Sequence, residues 1–434
     1  MMGFALKTSL HQIKDPRQWA PERLGKSFYG ISGALVAVRL CALSIAFLLP
    51  LAACSSMNSG IGRGAGGMTT PSPQAETTPP QPHSGEEIGS GPARVALILP
   101  MTQASGPSNV GTSLRNAAEL AYLDAGGNDV TLLIKDDHSN PEGARAATEE
   151  ALSDGAELVI GPLFASSVRE VGKTAHASGK PVIAFSTDAS TAGPNLYLLS
   201  FLIENYVDRI IDFAASKGKK SIAALIPDND YGRVAETEFQ QAAARNNMRI
   251  MTIEHYQQGT MGEALQHVAA LHDQIDSLFI PEQAEAIQAM SQTMAAAGIT
   301  SSKVQILGTG LWNDARVLRL PALQGAWFAA PENGGYNAFV ERYRAKYHSD
   351  PVRIATLAYD AVSLAVALAH TQGSQRYAQN VLTNRSGFNG ADGVFRFNSD
   401  GTNERGLAVM EITNGTSVTI SPAPRSFASS ASAI

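Results

Sequence analysis

Cysteine is almost absent from this 434-residue chain: there are two, Cys41 and Cys54. A disulfide-stapled scaffold or a cysteine-based zinc cluster cannot be assembled from so few thiols. Charge is also sparse, at 17% of residues, and it has no basic excess, since 33 Lys and Arg face 39 Asp and Glu for a net of −6. A general phosphate-backbone binder needs clustered cations, so nucleic acid is excluded as a partner. No apolar run approaches the roughly 20 residues of a membrane-spanning helix; the stretch from Leu40 to Leu49 stops well short and Arg39 precedes it. The nine histidines are scattered, with no His-Glu-x-x-His, no Gly-x-Ser-x-Gly elbow and no phosphate-loop lysine. Nothing local therefore brings an acid, a base and a nucleophile together, and the chain reads as a non-enzyme without cofactor or metal. What is abundant is apolar residue, at 44%, punctuated by 39 Gly and 22 Pro. That is globular composition, with length for two or three domains.

The N-terminus carries its own address. Residues 1–53 hold six basic side chains (Lys7, Lys14, Arg17, Arg23, Lys26, Arg39) and two acidic ones (Asp15, Glu22), and end in the apolar run. This is the order of a secretory signal. Leu51-Ala52-Ala53-Cys54 then resembles a bacterial lipobox, which implies cleavage before Cys54 and diacylation of its thiol. Each buried CH₂ of such chains contributes roughly 0.8 kcal/mol, so the mature protein is expected to stay on a membrane. Ser55 and Ser56 follow where lipoproteins kept on the inner membrane carry Asp, which implies release to the outer membrane. Residues 54–93 are rich in Gly, Ser, Thr and Pro and read as a tether, whose coil spans about 35 Å.

From Arg94 onward short β-branched runs alternate with Ala-rich segments of helical period. Strands are expected at 95–99, 130–135, 158–161, 182–185, 222–226, 250–254, 277–280, 304–307 and 325–329. Helices are expected at 114–125, 141–153, 166–178, 205–217, 232–246, 262–272, 282–297, 336–347 and 354–370. Two-faced apolar strands with helices between them require parallel sheets covered on both sides. The count exceeds one compact sheet, so the expected fold is α/β, with two doubly wound parallel-sheet lobes joined by crossover hinges. Residues 94–201 and 332–392 are assigned to one lobe, 202–331 and 393–420 to the other, and 421–434 to a disordered tail. Such lobes leave a cleft at the carboxyl ends of their strands, where open α/β sheets bind ligands.

Four motifs follow one another in order: Asp136-Asp137 with Asn140-Pro141-Glu142-Gly143-Ala144; Val159-Ile160-Gly161-Pro162-Leu163 with Ser166-Ser167; Pro227-Asp228-Asn229-Asp230-Tyr231-Gly232; and Gly393-Val394-Phe395-Arg396-Phe397 with Asp400-Gly401. In that order and spacing, over residues 94–420, the chain resembles type I periplasmic binding proteins, most closely the leucine/isoleucine/valine-binding group. The resemblance implies hinged closure around a small solute without bond breaking. Its partners would be a small-molecule ligand and an inner-membrane permease. Lipoprotein activators of penicillin-binding proteins share the fold, and that likeness implies a peptidoglycan synthase as partner instead. The activators known best carry a helical-repeat domain where this chain has only a linker. The expected location is the periplasm, lipid-anchored at the outer membrane rather than the inner, and from there a partner spanning the wall fits better than a permease. A 35 Å tether reaches a permease only from the inner membrane.

The expected ligand contacts are Ser166, Ser167, Ser186, Thr187, Tyr231, Glu282 and Thr309. Ser166 and Ser167 open a helix after a strand, and either donate to an anion there or simply cap the helix. Ser186 and Thr187 repeat that geometry one strand over. Tyr231 matches the tyrosine with which the family stacks on its solute, whereas the clustered acids beside it lack the spacing of a calcium loop. Two departures weaken branched-chain amino-acid binding. Ala165 stands where amino-acid binders place a hydroxyl, and Gly308-Thr309-Gly310 stands where they place the acid that holds the α-ammonium. A buried ammonium without counter-charge costs several kcal/mol. Glu282 either replaces that acid or merely favours the dipole of its helix.

Overall fold

The computed structural model describes residues 85–257 and 259–427. The signal segment, Cys54 and most of the expected tether lie outside the described residues.

The chain opens with β1 (Glu86–Ile88), β2 (Ala93–Leu99) and a two-residue hairpin, β3 (Thr102–Gln103) and β4 (Gly106–Pro107). It continues through α1 (Asn109–Asp124), β5 (Val130–Asp136), α2 (Pro141–Ser153), β6 (Leu158–Ile160), α3 (Ala165–Ala177), β7 (Val182–Ala184) and β8 (Leu196–Leu198). These strands form one sheet in the order β1-β5-β2-β6-β7-β8. A second sheet uses α4 (Ile203–Ser216), β9 (Ser221–Pro227), α5 (Asp230–Arg245), β10 (Arg249–Tyr256), α6 (Met261–Ala270), β11 (Ser277–Phe279), α7 (Ala284–Ala296), β12 (Gln305–Gly308), α8 (Ala315–Leu318) and β13 (Trp327–Ala330). The chain then returns through α9 (Asn333–Tyr347), α10 (Ala355–Gln372), α11 (Gln379–Leu382) and a small sheet of β14 (Phe388–Gly390), β15 (Gly393–Phe397) and β16 (Asn403–Arg405). It ends with β17 (Ala408–Thr413) and β18 (Thr416–Ser421), which complete the second sheet in the order β10-β9-β11-β12-β13-β17-β18.

Period-2 alternation divides each strand between two cores. In β2, Val95, Leu97 and Leu99 face α1 and α10, while Ala96 and Ile98 face α2 and α3. In β9, Ala223 and Leu225 pack with α6 and α7, while Ile222, Ala224 and Ile226 pack with α4 and α5. Each fully buried Leu or Ile contributes roughly 1.5–3 kcal/mol over exposure, so both faces hold the helices in place. Local signals agree with that packing. In α2, Asn140 caps the Gly143 N–H at 2.8 Å, Pro141 occupies the first turn without losing a bond, and Glu142 faces the positive end of the dipole.

The two doubly wound lobes are as expected, with additions at their edges. β1, inside the expected tether, pairs antiparallel with β5, so folded structure begins before residue 93. β17 pairs antiparallel with β13, and β18 antiparallel with β17, so the second sheet is mixed. β18 also carries strand order to Ser421, the first residue of the expected tail. β15 stands apart from its expected lobe, since Phe395 and Phe397 join the first core and the Phe397 ring lies 5.2 Å from that of Tyr197. Phe388, Phe395 and Phe397 pack on one another and against the core that α10 helps to form, which fixes the small sheet to the first lobe. Three chain crossings join the lobes, at Leu199–Leu202, Pro331–Glu332 and Gly406–Leu407. Among the described residues no helix is long and apolar enough to cross a membrane.

Candidate functional site

The loops at the carboxyl ends of the parallel strands are where open α/β sheets carry ligand contacts. On the first lobe, β6 is followed by Gly161, whose φ of +89° is open to glycine and strained for any other residue. The loop leads into α3, whose N-cap is Phe164, without a side-chain hydrogen bond. Capping by Ser166 or Ser167 is therefore not what the structure shows. Both lie inside the first turn, whose N–H groups have no capping side chain. Ser166 is exposed, whereas Ser167 is fully buried and its Oγ has no hydrogen-bond partner. One strand over, buried Ser186 accepts the Asp188 N–H at 3.1 Å, and Thr187 is exposed. The Ser190 hydroxyl and N–H, with Arg169 beside them, hold the Asp188 carboxyl below its ordinary range.

On the second lobe, Asn229 caps α5 through the Gly232 N–H at 2.8 Å, Asp228 accepts from Gln257, and Asp230 pairs with Arg233. The three polar side chains before Tyr231 are thus used in capping and pairing, and Tyr231 is carried in the first turn. Its hydroxyl lies 3.2 Å from that of the fully buried Thr309. Burial raises the Tyr231 hydroxyl well above its usual range; Thr309 opposes the rise, and Tyr206, Glu282 and Glu204 add to it. Tyr206, whose ring lies against Gly310, shares one wall with Thr309 and Tyr231.

Glu282 is committed within this wall. One carboxylate oxygen accepts from the Tyr256 hydroxyl and the other from the Gln283 N–H at 2.7 Å, while Trp312 Nε1 donates to its carbonyl at 3.1 Å. Glu204, in the first turn of α4, differs. Its Oε2 is buried and has no partner. Burial pushes its carboxyl above the ordinary range, its own N–H draws it back, and repulsion from Glu238 and Asp188 adds to the rise. Asp188 belongs to the first lobe, so Glu204 feels both sides of the hinge. Tyr206, one residue past Asn205, presents its ring to Gly310; a Cβ on that glycine would stand 2.6 Å from it. Burial pushes the Tyr206 hydroxyl up to about 12, with Arg353 and Arg405 opposing. Phe164 on the first lobe and Leu311 on the second remain 43% and 37% exposed, so both rims are partly apolar.

The structure thus brings Tyr231, Thr309 and Glu282 together, and sets Ser166, Ser167, Ser186 and Thr187 on the opposite lobe. Glu204 and Tyr206 were not among the expected residues. An acid at the second position of a helix ordinarily reads as dipole compensation, and an inward tyrosine as core.

A family model described as "periplasmic binding protein" matches residues 92–417. The chain belongs to the periplasmic binding protein family. No curated protein sequence is a match. Among solved structures, a putative branched-chain amino acid ABC transporter protein of Rhodospirillum rubrum is similar with a TM-score of 0.66 at 17% identity, over 76% of this chain and 99% of that one. The branched-chain amino acid transporter substrate-binding protein of Streptococcus pneumoniae, in complex with isoleucine, gives 0.53 at 19% identity, over 76% and 99%. A solute-binding protein of Rhodopseudomonas palustris, in complex with 3,4-dihydroxybenzoic acid, gives 0.55 at 18% identity, over 76% and 96%. At such identities the likeness establishes the fold, and this chain's own residues have to speak for its ligand.

Proposed function

We propose that the chain is an extracytoplasmic solute-binding protein that closes its two lobes on a small amino-acid-like or amide-bearing molecule and breaks no bond. The observation that carries this reading is Glu204, a buried carboxylate oxygen without a partner in the first turn of the helix that follows the first crossing, whose charge is felt at Tyr231. An unpaired buried acceptor costs stability unless a donor reaches it, and a ligand ammonium or amide N–H is such a donor. The uncapped first turn of α3, with the Ser167 hydroxyl beside it, suits the ligand's anionic or carbonyl end. Ser186, after β7, and Thr309, after β12, serve as further polar positions around it, with Tyr231 as the aromatic surface. Solved relatives with isoleucine and with 3,4-dihydroxybenzoic acid support a carboxylate-bearing ligand, and Glu204 favours one that also carries an N–H group. Binding should appear as a dose-dependent rise in melting temperature with such a molecule.

The proposal includes a lipid anchor at Cys54 and a periplasmic face, with an importer's permease as the receiving partner. Replacing Cys54 by Ser is expected to move the protein from the membrane pellet to the soluble fraction; a variant that still pellets contradicts the anchor. The exposed Phe164 and Leu311 on the two rims favour a second reading, in which the closed lobes present a surface to a peptidoglycan synthase. A protein that binds such a synthase and shows no response to small molecules supports that second role.

A further inference from the structure

The crossings between the lobes meet at a polar centre that ligand binding does not use. Arg405 closes β16, just before the third crossing, and its side chain is 1% exposed. Its Nε donates to the carbonyl of Ser200 in the first crossing at 2.9 Å, and Asn403 Nδ2 donates to the same oxygen at 3.1 Å. Both Arg405 Nη groups lack a partner, although the guanidinium is packed against the Phe201 and Phe395 rings at 4.7 and 5.7 Å. The nearest acid is Asp360 on α10, whose Oδ2 stands 4.0 Å from Arg405 Nη1 and has no hydrogen bond either. Its other oxygen accepts the Ala391 N–H at 2.6 Å. Two buried opposite charges, each with unsatisfied atoms and separated by about one ångström more than a direct bond, form an unfinished ion pair.

We propose that Arg405 and Asp360 are a proton-operated latch at the crossings, loose in the geometry seen here and drawn into a direct ion pair when Asp360 is ionised. Pulling Arg405 toward α10 moves β16 and, through the Ser200 carbonyl, the first crossing, so the angle between the lobes changes with it. Protonation removes the attraction and leaves Arg405 held by Nε alone. The surroundings place this change near neutrality. Burial pushes Asp360 up to about 7 against the pull of Arg405; the Asp392 charge adds to the rise, and the Ala391 and Asp392 N–H groups oppose it. Asp392 is itself held by both nitrogens of Arg353, at 2.9 and 2.6 Å, so it is not free to satisfy Arg405. Tyr359 on α10, Tyr336 on α9 and Tyr206 on α4 are the other titratable groups facing this centre. All three are raised and stay protonated through the neutral range.

The test needs no ligand, so its failure and the failure of solute binding are separate results. Spin labels at Ala177→Cys on α3 and Ala244→Cys on α5, in the full chain carrying Cys41→Ser and Cys54→Ser, report the distance between lobes from pH 5.5 to 8.5. The expected result is two interlobe distances that exchange population with a half-point near 7. Asp360→Asn should hold the low-pH distribution at every pH, Arg405→Gln should lose the response, and Arg405→Lys should keep one. An unchanging distribution in the parent chain, or the same pH response in Asp360→Asn, overturns the latch. If Asp360→Asn does not fold, the contrast between Arg405→Gln and Arg405→Lys decides: an identical response in both also overturns it.

Discussion

Gly161→Ala should destabilise the first lobe by about 3 kcal/mol or more, among the largest effects of any single methyl group in the molecule. The backbone at Gly161 has φ +89°, and an added Cβ would stand 2.1 Å from the Ile98 carbonyl oxygen on the adjacent strand. Neither atom can yield, because β2 lies between β5 and β6 and the Gly161 N–H is tied to the Ile183 carbonyl at 2.8 Å. Gly179→Ala separates the two causes. Its φ is +65°, but its Cβ would meet nothing within 4 Å, so only the conformational cost of about 1 kcal/mol remains. Denaturant unfolding of both variants checks the prediction. Equal losses would mean that the close approach to Ile98 is unimportant.

Glu204→Gln should have opposite effects on stability and on binding. Burial raises the Glu204 carboxyl, so the folded protein binds its proton more tightly than the unfolded chain does. A carboxyl raised in this way contributes stability below its unfolded pKa, and that contribution is lost as pH rises through its folded value. At neutral pH the ionised form therefore weighs against the fold, and the uncharged amide relieves it. The variant is expected to melt above the parent at pH 7, with the difference vanishing below about pH 4. Affinity should move the other way. Loss of a buried charge facing a ligand ammonium costs about 2–4 kcal/mol, a weakening of roughly 30- to 1000-fold. A variant that is less stable and binds equally well would make Glu204 a structural acid.

The architecture was readable because it is written in patterns that do not depend on distant contacts. Helix α2 was expected at 141–153 and is found there, since Asn140, Pro141 and the alanines Ala144, Ala147 and Ala151 state its start and its buried face locally. The strands that pair at the edges were harder. Glu86-Glu87-Ile88 has too little apolar character to stand out, and it is a strand only because β5 offers an open edge. Phe395 and Phe397 gave the strand but not its lobe, which is decided by the distant partner Tyr197.

The site was legible to the same degree. Tyr231 and Thr309 sit at strand ends, where the fold class places ligand contacts, and the structure joins their hydroxyls. Glu204 and Tyr206 come from the helix after a crossing. Nothing in their sequence neighbourhood distinguishes them from helix-start acid and core aromatic, and only the folded chain sets the Tyr206 ring against Gly310 and leaves the Glu204 Oε2 without a partner. The reverse holds for Glu282, whose carboxylate is engaged by Tyr256, 26 residues earlier in the chain.

The central claim is that two hinged lobes grip a small molecule, and the most direct test is a melting-temperature titration of the purified protein against amino acids, amides, peptide fragments and aromatic carboxylates. At a ligand concentration of 100 times Kd the stabilisation amounts to about 2.7 kcal/mol. The account predicts that at least one N–H-bearing carboxylate raises the melting temperature with the logarithm of its concentration, and that Glu204→Gln shifts that curve to higher concentration. A flat response across the whole panel would contradict it.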